Sequence, residues 1–255
     1  MRTRVSFLVL ALLLGLPARG QEFWQKKDYR SWSEEECRRL LKDSPWAKRR
    51  TPMVKALRED RWGRVLVQST DAQARTFLYY QVQLRSVLPI RQALVRLKQI
   101  ASGDEAILLQ QQNSTGAEAA LAASFTDTVV VRVAYRSNFL DWDRELALYW
   151  QRQTTDTLKN SVFLIGGKHA KVPLLRYWVG EGDVREFEFV FPRMYQGHPV
   201  VSPQDKTLQL HFPHPELSWR GPGSVVIEFK VREMTVGGEV AYYRCGTASG
   251  TVKTN

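Results

Sequence analysis

Histidines are the first residues to weigh as metal ligands, and the chain has four of them. His211 and His214 form the one close pair, in the run His-Phe-Pro-His. Positions three apart on a strand point to opposite faces, so both rings would reach one ion only if the intervening proline bent the chain. No neighbouring group of His, Asp or Glu completes a zinc spacing. We therefore expect a surface turn here, and neither a metal nor a cofactor.

Motifs for nucleophilic catalysis or phosphate binding are absent from the sequence. Residues 246–250 have the two glycines of a GxSxG elbow, but Ala248 occupies the place of the serine. Gly166-Gly167-Lys168 lacks the upstream glycine and the following Ser or Thr of a phosphate loop, and it predicts a hairpin turn. A catalytic triad or carboxylate pair assembled from distant residues stays open, because such sites are recognised by geometry.

One local pair of carboxylates could take part in sugar chemistry. Asp141 and Asp143 flank Trp142, an arrangement loosely similar to that of sugar-processing sites. Acidic residues at the start of a helix also cap it, and capping is the simpler interpretation. No catalytic residue is assigned from the sequence.

Cys37 and Cys245 are the two cysteines of the chain and lie near its opposite ends. In an oxidising compartment such a pair predicts a disulfide that ties the N-terminal helix to the C-terminal strand region. Two unpaired, packed thiols are the alternative, since a sequence does not give the distance between them.

A basic segment is the clearest local feature of the charge pattern. The whole chain carries a net charge of +11, and the three arginines at positions 2, 4 and 19 leave 11 − 3 = +8 for residues 21–255. The segment 47–64 is a candidate contact patch, with a solvated loop and helix face as the alternative. Its basic residues are Lys48, Arg49, Arg50, Lys55, Arg58, Arg61 and Arg64.

The N-terminus has the pattern of a cleavable export signal. Arg2 and Arg4 precede an apolar run over 5–16, and Pro17 and Ala18-Arg19-Gly20 follow it. The run is shorter than the roughly 20 apolar residues that span a bilayer, so we expect cleavage after Gly20, with an uncleaved anchor as the alternative. We expect no membrane-spanning segment after cleavage and a periplasmic or secreted location.

Export changes what the positive charge implies. In the cytoplasm a basic chain would suggest nucleic acid. An exported basic protein meets anionic lipid head groups and acidic polymers instead. We therefore expect an anionic envelope surface or polymer, or another envelope protein, as the partner, with nucleic acid outside the cell as a weaker alternative.

Helix signals are strongest near the N-terminus. Ser33 and Glu36 form a capping box at the start of a helix over 33–43, and Pro45 ends it. Pro89 suits the first turn of a helix that opens a helical block over 87–124, and 143–152 predicts a further helix.

Strand signals dominate the rest of the chain. β-Branched and aromatic runs separated by Gly and Pro turns indicate an antiparallel sheet or sandwich. The predicted strands are 64–69, 77–84, 128–135, 162–165, 169–175, 185–191, 207–212 and 224–231.

Together these signals predict an α+β fold, with an N-terminal helix, a mostly antiparallel β-sheet or sandwich and a helical insertion. Hydrophobic residues make up 44% of the chain, enough for a packed core. The expected organisation is a signal peptide over 1–20, an N-terminal helical segment over 21–60, an α+β body over 61–245 that is β-rich from 158, and a tail over 246–255.

The N-terminal region resembles the opening of a family of exported bacterial proteins of unknown function. The residues that carry the resemblance run from Lys27-Asp28-Tyr29-Arg30-Ser31-Trp32-Ser33 through Glu36-Cys37 and Leu40-Leu41 to Asp43-Ser44-Pro45-Trp46-Ala47. The resemblance implies a bacterial envelope or secreted location. It carries over no activity and no catalytic residue.

From the sequence we expect an exported, non-catalytic binding or structural protein of the envelope or the secreted fraction. The basic segment and the Trp-rich N-terminal region are its expected contact surfaces. An exported hydrolase acting on a polysaccharide or peptide is the alternative, and it would need a pocket with convergent Asp, Glu or His groups.

Overall fold

The computed structural model describes residues 22–54, 77–102, 125, 127–180, 185–218, 221–236 and 239–240. Its helices are α1 (Phe23–Lys26), α2 (Glu34–Lys42), α3 (Leu88–Ala101), α4 (Leu140–Gln151), α5 (Thr155–Leu158) and α6 (Val231–Met234), with a 3-10 turn over Tyr29–Ser31. Its strands are β1 (Ala47–Arg50), β2 (Met53–Val54), β3 (Leu78–Leu84), β4 (Thr128–Ser137), β5 (Phe163–Gly166), β6 (His169–Pro173), β7 (Arg176–Val179), β8 (Glu186–Pro192), β9 (Met194–Tyr195), β10 (His198–Pro199), β11 (Thr207–His214), β12 (Gly223–Lys230), β13 (Thr235–Val236) and β14 (Glu239–Val240).

Two five-stranded antiparallel sheets form the body of the fold. The first has the strand order β1-β3-β4-β8-β7, and the second has the order β2-β12-β11-β5-β6. Aromatic rings join their inner faces: Tyr80 of the first sheet meets Phe212 of the second edge to face at 5.1 Å, and Phe189 lies 5.7 Å from Phe212. The predicted α+β fold with an antiparallel sandwich is confirmed.

Alternation along the strands separates core from surface. In β8, Phe187, Phe189 and Phe191 are buried on the inner face, and Glu186 and Glu188 point the other way. Successive strand side chains lie on opposite faces, so each strand contributes one apolar row to the core. On the other face of β8, Glu186 and Glu188 are half-buried and Val190 is buried.

Helix α4 packs against the inner face of the first sheet. The indole of Trp150 stacks on Phe187 at 4.1 Å and also meets Phe212 of the second sheet at 6.2 Å. The hydroxyl of Tyr177 donates to the Trp150 carbonyl at 2.6 Å, which fixes the end of α4 to the edge strand β7. The helix begins at Leu140, three residues before its predicted start.

The N-terminal helices pack at one end of the first sheet. Ser33 and Glu36 form the predicted capping box of α2. The Gln83 side chain donates to the Leu41 carbonyl at 2.6 Å, which ties the end of α2 to β3. Helix α3 confirms the first part of the predicted helical block and carries Pro89 in its first turn. The rest of that block and the predicted strand 64–69 lie outside the described residues.

Candidate functional site

The solvent-facing side of the first sheet combines aromatic and charged side chains in cross-strand rows. Arg132 of β4 pairs directly with Gln83 of β3 and with Glu188 of β8, and Glu188 pairs with Trp178 of β7. Directly paired residues share a face of the sheet, so these side chains lie in one row. We call this surface the outer platform. It comprises Arg49, Phe77, Tyr79, Arg132, Arg136, Trp178, Glu186 and Glu188.

One end of the outer platform is an aromatic and cationic stack. The Tyr79 ring lies 5.9 Å from that of Phe77 in a near-parallel arrangement. The Arg49 guanidinium sits over the Tyr79 ring, with its Cζ 4.2 Å from the ring centroid. Phe77 is 48% exposed, so this stack is open to solvent on one side.

The centre of the outer platform is a network of opposite charges. Glu186 forms an ion pair with Arg132, and its Oε1 lies 3.9 Å from the Arg136 guanidinium. Arg132 also donates to the Gln83 side-chain oxygen at 3.4 Å. Burial lowers the pKa of Arg85, and the negative charge of Glu188 opposes that shift. Both glutamates therefore have a cationic neighbour.

Trp178 forms the other end of the outer platform, on the edge strand β7. It is 55% exposed although it is a large apolar residue. Its ring lies against Gly180, where a Cβ atom would come within 3.2 Å of Trp178 Cη2. The absence of a side chain at position 180 therefore gives the indole room to lie there.

The described part of the predicted basic patch is divided between two faces of β1. Arg49 pairs with Gln81 and belongs to the outer platform, whereas Lys48 and Arg50 pair with the buried residues Val82 and Tyr80. The remaining members, Lys55, Arg58, Arg61 and Arg64, lie outside the described residues. The single contact patch stays a prediction.

Cys37 is buried on α2, and Cys245 lies outside the described residues, so their pairing stays a prediction. Burial raises the pKa of the Cys37 thiol to about 11, and the positive charge of Arg96 opposes this only in part. A thiol in this environment stays protonated at neutral pH and is a poor nucleophile.

The expectation of a surface turn at His211-Phe212-Pro213-His214 is wrong. Strand β11 continues to His214, because Pro213 and His214 still pair with Ser224 and Gly223 of β12. On its other side, β11 pairs with β5 only as far as His211. Pro213 therefore lies beyond the end of β5, where the missing N–H of proline costs no hydrogen bond to that strand.

The two histidines do point to opposite faces, as strand alternation requires. His214 is 1% exposed and its Nδ1 lies 2.9 Å from the Tyr80 hydroxyl in the core. His211 lies on the outer face of the second sheet, where its ring stacks on Phe163 at 4.8 Å. Burial lowers the pKa of His211.

His169 and His198 are nearer to each other than the sequence indicates. Their ring centroids lie 6.3 Å apart, and Tyr195 lies 5.4 Å from His169. His169 is buried, and its Nε2 has no hydrogen-bond partner within the described ranges. Among all the residues that the structure describes, no group of three or more His, Cys, Asp or Glu is positioned for a metal ion.

The carboxylates near the start of α4 make structural contacts. Asp141 and Asp143 lie in the first helical turn and do not cap it, because the helix begins earlier than predicted. Asp143 Oδ2 lies 3.5 Å from the Arg185 guanidinium. Glu145 accepts hydrogen bonds from the backbone N–H and the hydroxyl of Ser218.

Most of the outer platform is missing from the set of residues singled out in the sequence. The sequence contains two signals for them. Glu186 and Glu188 alternate with phenylalanines, which places both on the face opposite the core. Arg132 and Arg136 are spaced by four in an apolar strand, which places them on one face as well. The pairing of these rows across strands distant in sequence has no local signal.

No protein-family model, curated protein or solved structure matches the chain. None of the helices among the described residues is both long and apolar enough to cross a membrane.

Proposed function

We propose that this protein is an exported, non-catalytic binding module of the envelope or the secreted fraction, and that its outer platform binds an extended polysaccharide. The observation that carries the proposal is the presence of exposed aromatic rings at opposite ends of one sheet face. Phe77 and Tyr79 lie at one end and Trp178 at the other, with polar groups between them.

The spacing of these aromatic residues suits a chain of linked rings. Strands β3 and β7 are three positions apart in the sheet, about 14 Å, and Trp178 is in register with Gln83, four residues along β3 from Tyr79. The Tyr79 and Trp178 positions are therefore roughly 20 Å apart along a diagonal of the sheet. A polysaccharide presents apolar C–H faces and polar hydroxyl edges in alternation. Exposed aromatic rings provide rigid apolar contact area, and the charged groups between them can hydrogen-bond the hydroxyls.

Export is the second part of the proposal. It is supported by the basic, apolar and small-residue segments over 1–20 and by the resemblance of the region from Lys27 to Ala47 to exported bacterial proteins. An exported protein meets wall and surface polymers, and the net positive charge favours acidic ones.

A polysaccharide panel tests the proposal directly. Residues 21–255 are titrated with soluble neutral and acidic polysaccharides by isothermal calorimetry and affinity electrophoresis. Trp178→Ala and Phe77→Ala should each weaken binding by about tenfold, since each removes an exposed aromatic ring of the outer platform. Met194→Ala is the matched control, because Met194 is equally exposed and lies on β9, outside the platform.

Two results would contradict the proposal. If no polysaccharide binds, or if binding is unchanged in both aromatic variants, the outer platform is not a carbohydrate site. If new reducing ends accumulate with the native protein and not with the variants, the exported hydrolase replaces the binding module.

A further inference from the structure

We propose that the polysaccharide carries carboxylate groups, and that Arg49 and Arg136 bind them on either side of the Tyr79 ring. This inference rests on the proposed function and names the chemical class of its ligand. It follows from three neighbouring strands: Arg49 is on β1, Tyr79 on β3 and Arg136 on β4.

Arg49 is positioned to receive an anion. Its guanidinium Cζ lies 4.2 Å from the centroid of the Tyr79 ring. A guanidinium that stacks on an aromatic ring keeps its N–H edges available for hydrogen bonds. Among the residues that the structure describes, Arg49 forms no ion pair, and its side chain is exposed. An exposed guanidinium edge matches a carboxylate through two parallel hydrogen bonds.

Arg136 provides the second cation. It lies directly opposite Tyr79 in the ladder and its side chain is 43% exposed. Its contact with Glu186 is long, at 3.9 Å, because Arg132 forms the closer pair with that carboxylate. Arg132 and Arg136 together carry two positive charges beside the single negative charge of Glu186. Arg136 can therefore move from Glu186 to a ligand while Arg132 keeps that carboxylate paired.

The arrangement fits an acidic sugar better than an anionic membrane surface. Strands β1 and β4 are about 10 Å apart, with the Tyr79 ring between the two cations. A sugar ring bound beside this stack would place carboxylates at its edges within reach of either arginine. A bilayer presents a continuous layer of negative charge, which would also lie against Glu186 and Glu188 and be repelled.

Two forms of one polymer provide the test. Polygalacturonate and its fully methyl-esterified form have the same backbone, and only the first carries carboxylates. Native protein should bind polygalacturonate about tenfold more tightly than the ester, with a preference that falls as salt rises. Arg49→Ala should remove most of the preference, and Arg49→Lys should restore it only in part, because lysine lacks the planar fork.

Arg50→Ala is the matched control, because Arg50 is an exposed neighbour that lies on the other face of β1. Equal binding of both polymers would overturn the inference and leave the proposed function standing. Failure to bind either polymer, or any other in the panel, would overturn both. Preferential binding to phosphatidylglycerol vesicles, lost in Arg49→Ala, would assign the two arginines to a membrane and overturn the inference.

Discussion

At the scale of single residues, the hydrogen bond between Tyr80 and His214 links the two sheets through the core. The Tyr80 hydroxyl on β3 lies 2.9 Å from His214 Nδ1 on β11. Tyr80 is 0% exposed and His214 is 1% exposed, so water cannot replace either partner. A polar contact of this kind is costly to break, because the remaining group stays buried.

Tyr80→Phe should therefore destabilise the protein by about 1–3 kcal/mol, since it keeps the ring and removes one hydrogen-bonding group from the buried pair. Urea unfolding followed by tryptophan fluorescence measures the change. Tyr195→Phe is the control, because Tyr195 is half-buried and no hydrogen bond of its hydroxyl occurs among the described residues. Equal midpoints for the two variants would show that the contact contributes nothing.

The region around His214 also shows which features can be predicted from the sequence and which cannot. The alternation rule correctly separated the faces of His211 and His214. The turn signal of Pro213 and Pro215 led to the wrong end for the strand, because pairing with β12 extends β11 past the proline. Pairing between residues nine or more positions apart decides such cases, and local turn chemistry does not predict it.

At the scale of elements, α4 completes the core of the sandwich. Trp150 is fully buried and contacts Phe187, Phe189 and Phe212, so this one side chain joins the helix to both sheets. The same residue type on β7, Trp178, lies in solvent. Replacing each of these two tryptophans by alanine therefore distinguishes the effect of core packing from the effect of a surface contact.

Trp150→Ala should lower the free energy of unfolding by about 3–5 kcal/mol, because it removes a large buried ring and leaves a cavity. Trp178→Ala should change it by less than about 0.5 kcal/mol, as surface substitutions usually do. Chemical denaturation of both variants provides the comparison. A similar loss in the two would mean that Trp178 is part of the core and not of the outer platform.

Elements with strong local signals were predictable, and elements formed by pairing were not. The capping box gave α2, and β-branched or aromatic runs gave β3, β4, β8 and β12 nearly to the residue. Strand β1 has the sequence AKRR, which has little β-propensity, and it is a strand because it pairs with β3. The outer platform is formed by side chains of β1, β3, β4, β8 and β7. It could not be predicted from the sequence for the same reason, because only the pairing of these strands brings its residues together.

At the scale of the whole molecule, export and the cysteine pair can be tested together. Protein purified from an exporting host should begin at Gln21 by intact mass. Native Cys37 should resist alkylation at pH 8, because it is buried and its thiol pKa is about 11. Unfolded without reductant, the chain should still take up no alkylating agent if Cys37 and Cys245 are joined.

Reduction in denaturant should then give two adducts, one for each cysteine. Two adducts before reduction would show that the cysteines are unpaired. A mass that retains Met1 would show an uncleaved precursor and would remove the basis for the periplasmic or secreted location.

The alternation of β8 has a consequence for how this protein can change over evolution. Glu186 and Glu188 lie on the outer platform. Phe187 and Phe189, which alternate with them along the chain, point into the core. Substitutions at every second position can therefore alter the recognised chemistry while the packed interior is conserved. A one-residue insertion or deletion would instead exchange the two sets of side chains and lose both properties at once. Relatives of this chain should accordingly differ in platform residues far more often than in the length of this strand.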